Sequence, residues 1–185
     1  MIAVAAVLVV VIVVWTVRGN NDDSSTTNTT AASQADAWAE GTCSALVSWK
    51  SDVVAAANSL KAKPTRDNAQ QAVDDTKTAT LTLTDSLSAL DAPSTSASGK
   101  AQDTVDALKT QMQTGLSKIQ EAAGKLSGVS GSVEAVSTIS STLVTMRDQL
   151  AAAGNTLRSL PDGELESAIA SAPSCDNLKN GGSAS

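Results

Sequence analysis

Histidine, phenylalanine and tyrosine are absent from all 185 residues, and tryptophan occurs three times. Without His the chain lacks the commonest general base and the commonest nitrogen ligand for a metal. A di-iron bundle, which needs Glu-x-x-His pairs, is excluded outright. The shortage of aromatics (2%) inside a 42% hydrophobic composition leaves Ala, Val, Leu, Ile and Met to build the core. Such residues let helices approach closely but supply little of the bulky surface that lines ligand pockets, so a small-molecule ligand is not expected. Positive charge is also scarce: thirteen Lys and Arg against nineteen Asp and Glu give a net charge of -6. Nucleic-acid binding rests on Lys and Arg neutralising phosphates, so no nucleic-acid partner is expected. The basic residues sit among acidic neighbours, as Lys125 does four positions after Glu121, a spacing that supports a helix surface by a few tenths of a kcal/mol.

Nucleophilic chemistry fares no better. No Ser-x-x-Lys occurs, and Gly128-Val129-Ser130-Gly131 lacks the spacing of a nucleophile elbow. Asp74 and Asp75 lie about 100° apart around a helix and cannot face one site together. Gly99-Lys100 and Gly124-Lys125 lack the glycine-spaced turn and the following Ser or Thr of a phosphate loop. No catalytic, cofactor-binding or metal-ligating residue is assigned, and the chain is expected not to be an enzyme.

What is present begins with an apolar run. Met1 to Val17 is aliphatic except for Trp15 and Thr16, and Arg18 closes it. As a helix it covers about 25 Å, slightly less than the roughly 30 Å hydrocarbon core. No basic residue precedes it, no small-x-small cleavage site follows it, and no nearby Cys offers a lipid attachment. Residues 1–18 are therefore read as a transmembrane anchor or signal-anchor, with the membrane as partner and Trp15 at the interface. Arg18 by itself argues for a cytoplasmic far side. The cysteines argue the opposite, a conflict that a basic leader upstream of Met1 would remove. Cleavage of the segment would instead give a secreted protein. Residues 19–32 are rich in Asn, Asp, Ser and Thr and read as a flexible tether, with a sequon at Asn28-Thr29-Thr30 that carries little weight.

Residues 33–178 carry helical periodicity throughout. Ser33-Gln34-Ala35-Asp36 has the form of a capping box, with Asp replacing the usual Glu or Gln. Ala39, Leu46, Val53 and Leu60 then recur every seventh position, with Trp49 and Ala56 between them. A second helix over 65–90 carries Ala69, Val73, Thr76, Thr80, Leu83, Leu87 and Leu90. Thr weakens its middle, and Thr80-Leu81-Thr82-Leu83 alternates locally like a strand. After Pro93 a third stripe runs from Ala101 through Met112, Gly115 and Ile119 to Leu126. After the turn at Gly128-Gly131 a fourth runs from Val136 through Met146 to Leu160. A short helix from Glu164 to about Ser171 leads to Cys175, and residues 179–185 read as a disordered tail. The fold class is all-α: an antiparallel, up-down-up-down four-helix bundle with an N-terminal transmembrane helix and a short C-terminal helix.

In that topology the start of the first helix and the end of the fourth share one pole, so Cys43 and Cys175 should meet. The alternative is a pair of inert buried thiols. A disulfide fits a domain outside the cytoplasm, where such bonds persist, and a redox-active Cys-x-x-Cys is absent. Trp38 and Trp49 lie three turns apart near the same pole, either plugging the bundle beside the disulfide or forming a recognition patch. The segment Trp38-Ala39-Glu40-Gly41-Thr42-Cys43-Ser44-Ala45-Leu46-Val47-Ser48-Trp49, answered by Pro173-Ser174-Cys175-Asp176, resembles the uncharacterised Ala-rich, membrane-anchored or secreted helical proteins of actinobacteria. The resemblance implies a cell-envelope location and no catalytic residue.

The functional expectation is a cell-envelope tethered helical interaction or spacer module without catalytic activity. It would be a single-pass membrane protein with its domain on the extracytoplasmic side and an envelope protein as candidate partner. The alternative is an extracytoplasmic ligand-binding or sensory bundle working through a partner, for which a cavity should open between helices around Gly115 or Gly154.

Overall fold

Apolar side chains spaced alternately three and four apart share one face of a helix, and burying that face requires another helix against it. In the computed structural model this produces α1 (Thr26–Ala62), α2 (Arg66–Ser88), α3 (Ser98–Gly124) and α4 (Val129–Arg158), followed by the short α5 (Gly163–Ser171) and α6 (Pro173–Lys179). The structure describes residues 26–126, 129–161 and 163–179, and among them there is no strand. The stripes read from the sequence form the core: Leu46, Val53 and Leu60 from α1, Leu83 and Leu87 from α2, Leu108, Met112 and Ile119 from α3, and Ile139, Leu143, Met146 and Leu150 from α4 are all buried. The fourth stripe opens on Ala135, while Val136 is only partly buried.

Helix boundaries follow local chemistry. Pro64 lies just past α1, and Thr65 caps α2 by accepting the Asn68 N–H at 3.3 Å. Ahead of α3 the Ser98 hydroxyl accepts the Thr95 N–H at 2.9 Å. The Thr-rich middle of α2 is helical throughout, including residues 80–83. Its hydroxyls fold back on the helix: Thr76 donates to the Ala72 carbonyl at 2.7 Å and Thr84 to the Thr80 carbonyl at 2.9 Å. This back-bonding lets a Thr occupy a core position without leaving its hydroxyl unpaired.

Three boundaries differ from the sequence reading, and one is the start of α4 at Val129, which makes residues 129–131 of the expected turn helical. Helix α1 begins at Thr26, so Ser33 is an interior helical residue and not an N-cap, and residues 26–32 of the expected tether are helical. Once a helix is nucleated each further residue adds a hydrogen bond at little cost, and nothing between Thr26 and Ala32 breaks it. At the other end, residues expected to be a simple lead-out to Cys175 form α6, with Pro173 at the first helical position, where its missing N–H does no harm. The proposed anchor over 1–18 lies outside the described residues. None of the described helices is long and apolar enough to cross a membrane.

Helix α1 packs most extensively on α2, and α3 on α4. Both pairs run in opposite directions: Gly41 meets Leu90 and Trp49 meets Thr80, so later residues of α1 face earlier residues of α2, and Ala122 and Ala135 wall one depression between α3 and α4 while Thr104 and Thr156 wall another. Gly115 of α3 faces Met146 of α4, whose Cγ lies 2.5 Å from where a Cβ would stand. Any larger side chain at Gly115 would force Met146 to move. The Trp49 Nε1 donates to the Thr80 hydroxyl at 3.2 Å within the core. Thr80→Val would bury an unpaired indole N–H, and a loss of about 1–3 kcal/mol in urea unfolding is expected. Adding Trp49→Phe removes the orphaned donor, so the double variant should be less destabilised than the sum of the two single losses by about 1 kcal/mol.

Candidate functional site

The short C-terminal helix lies along α1 and is fixed to it at three points. Cys175 is bonded to Cys43 with Cα atoms 4.9 Å apart, joining positions separated by 132 residues, and both cysteines are buried. One turn earlier on α1, the Glu40 carboxylate accepts the Ser174 N–H at 3.2 Å and also the Ser174 hydroxyl. Further along α1, Lys50 Nζ donates to the Leu178 carbonyl at 3.3 Å. A carboxylate thus stands at the N-terminus of α6 and an ammonium at its C-terminus, each with the sign that the helix dipole and the free terminal N–H and C=O groups favour. Glu40 and Lys50 are about 15 Å apart on a 1.5 Å rise, enough to bracket a two-turn helix. The cysteine pairing was legible from topology. Glu40 and Lys50 were not, because their partners are backbone groups of a helix that the sequence did not announce.

Both tryptophans are interior. Trp38 is 4% exposed and Trp49 1%, so the recognition patch considered for them has no exposed ring: Trp38 is packed in the core near Ala39 and Cys43, and Trp49 is bonded to Thr80. With no Phe or Tyr to share the task, the two largest side chains are drawn inside, where they remove the most apolar area from water. The cavity considered around Gly115 is reduced to a surface depression of about 160 Å³ walled by Gly115, Lys118, Thr142 and Met146, and at both Gly115 and Gly154 a neighbour takes up the space left by the missing side chain. Met146 presses on Gly115, and Leu178 Cδ2 lies 3.0 Å from the Cβ position of Gly154. Beside Cys43, the Thr42 hydroxyl is buried without a hydrogen-bond partner.

Helices α5 and α6 stand against α1 at the same side on which α4 approaches it, and α1 and α4 touch each other less than either touches its main partner. The seam between α1 and α4 is therefore entered by α5, which packs on both helices, and by the end of α6, whose Leu178 reaches Gly154 of α4, and it is open beyond Leu178. Two depressions mark the open part. One of about 360 Å³ has Lys50, Leu150, Arg158 and Leu178 in its walls, and one of about 370 Å³ is walled by Val53, Val54, Ala57, Leu143 and Val144. Arg147 borders both. Among the described residues, no group of three or more Cys, Asp or Glu side chains is placed to hold a metal ion.

Comparison with protein-family models, curated proteins and solved structures finds no match to this chain.

The cross-link closes a loop of more than a hundred residues, so replacing both cysteines by Ser should cost about 5 kcal/mol on chain-entropy grounds, read as a fall in the urea midpoint; an unchanged midpoint would contradict the role given to the bond. Thr42→Val removes a buried unpaired hydroxyl at nearly constant shape and should raise stability by about 1 kcal/mol.

Proposed function

We propose that this chain is a cell-envelope tethered helical interaction or spacer module without catalytic activity, held as a single-pass membrane protein with its folded domain on the extracytoplasmic side. In this reading α1 to α4 form an antiparallel, up-down-up-down four-helix bundle. Residues 1–18 are the anchor, and an envelope protein is the partner. The observation that carries it is the buried Cys43–Cys175 bond, because a structural disulfide persists in oxidising compartments and is rare where glutathione and thioredoxin keep thiols reduced. The aliphatic run from Met1 to Val17 supports the tether, and the resemblance to Ala-rich envelope proteins of actinobacteria points to the same address.

The interior supports a non-catalytic role. Of the three buried polar side chains among the described residues, Thr76 and Thr80 are spent on bonds within and between helices, and Thr42 stands apart from them beside the disulfide, so the three do not converge on a shared site. A helix of 37 residues, as α1 is, spans about 55 Å, so the domain presents long stiff faces at a distance from its anchor.

The address is tested by cell fractionation combined with a membrane-impermeant, lysine-reactive biotin label on intact cells. Recovery in the membrane fraction, labelled without lysis, is expected. Labelling only after lysis, or recovery from the cytosol, would contradict the proposal; recovery from the medium without residues 1–18 would replace the anchor by a cleaved signal.

A further inference from the structure

We infer that the open part of the α1/α4 seam is a docking groove for an acidic amphipathic helix of a partner protein. Val54 is 38% and Val144 49% exposed, and both line the same depression, one from each helix. Among the described residues the two other large hydrophobic residues that stand exposed, Leu81 on α2 and Val133 on α4, border neither depression. Between the two valines the floor is Val53, Ala57 and Leu143. Isolated exposed aliphatics are ordinary on a protein surface, whereas these two face each other across one concave strip with an apolar floor, a shape that receives an aliphatic ridge.

The charge around the strip selects the occupant. Lys50, Lys61, Arg147 and Arg158 all border the two depressions, and no carboxylate does. Asp148 holds the Arg147 guanidinium from outside, at 2.9 Å. Four cations concentrated along one groove are conspicuous in a chain whose net charge is -6. Long cationic side chains lay their methylene stems along apolar surface and keep their heads at the rim, so an occupant with an aliphatic ridge and flanking Asp or Glu would be matched in both respects.

The protein itself shows what shape the seam accepts. Helix α6 occupies the adjoining length, with Cys175 and Leu178 buried and the Leu178 carbonyl accepting from Lys50. The apolar floor continues past Leu178, which walls the first depression. A second helical segment would extend the packing that α6 begins. From Lys50 to the end of α1 at Ala62 the available length is about 18 Å, or a little over three helical turns, and helix-in-groove recognition uses aliphatic anchors at i, i+3 or i+4, and i+7. This names a partner class for the interaction module proposed above and rests on that reading for a protein partner. Because binding is read in vitro, its failure would leave the envelope address standing.

The test displays a phage library of helix-biased 14-residue peptides to the full chain held in phosphatidylcholine nanodiscs. Enriched peptides are expected to carry aliphatics at the spacing given and Asp or Glu beside them. They should bind the doubly substituted Val54→Asp/Val144→Asp chain at least about tenfold more weakly, with the unfolding midpoint unchanged because both positions face solvent. Lys61→Glu/Arg147→Glu should turn the selection towards Lys- and Arg-flanked peptides. The inference is overturned by no enrichment over empty nanodiscs, by selection of basic or wholly polar peptides, or by equal binding to the Val54→Asp/Val144→Asp chain. It is also overturned if the groove substitutions abolish self-association, or binding to phosphatidylglycerol vesicles, in place of peptide binding.

Discussion

The bond between Cys43 and Cys175 is the constraint on which the rest of the arrangement turns, because it ties the first helix of the domain to the last. In the four-helix arrangement proposed above, helices joined by short links alternate in direction, which returns the chain after four of them to the pole from which it started. The return alone leaves the C-terminal segment free to fray, as chain ends do. The disulfide, the Glu40 cap on Ser174 and the Lys50 contact with the Leu178 carbonyl together hold α6 along α1. A seven-residue helix has no stability of its own in water, so α6 exists because its neighbours supply what it lacks: α1 a covalent tie and a partner at each end, and α4 the Gly154 surface against which Leu178 packs.

That placement shapes the other side of the molecule. By standing against α1, the C-terminal helices take up surface that α4 would otherwise cover, and the α1/α4 contact is the looser side of the core. The remaining interfaces close tightly because their residues are small or pliable. Met146 folds over Gly115, and Leu90 over Gly41, contacts that a methyl group at either glycine would disturb. A core without Phe or Tyr obtains its density from close helix approach and from two buried indoles, and one of those indoles must find a hydrogen-bond acceptor, which Thr80 supplies. The Thr-rich α2, a poor helix former by composition, is thereby tied to α1 at its middle.

The four stripes were legible in the sequence because burial is periodic: the positions from Ala101 to Leu126 and from Ile139 to Leu160 that share the spacing are the buried ones. The meeting of the cysteines followed from counting helices. What escaped depends on groups that a residue pattern does not display. The start of α1 was placed at Ser33 because a capping pattern is visible there, yet such a pattern only permits a helix to begin, and the Thr- and Ala-containing residues before it continue the same helix. Helix α6 was missed because seven residues carry too few periods to register. For the tryptophans the spacing left two readings, a plug inside the bundle or a recognition patch, and burial of both rings agrees with the plug. The seam with its cationic border combines residues from α1, α4 and α6, and no spacing within one helix reveals it.

The account depends most directly on the covalent state of the two cysteines in the protein as cells make it. Peptide mapping by mass spectrometry, on native material alkylated before digestion and kept unreduced, measures that state. A single cross-linked species joining the peptide that contains Cys43 to the peptide that contains Cys175 is predicted, and recovery of the two peptides separately, each alkylated, would contradict both the fixing of α6 to α1 and the compartment inferred from it.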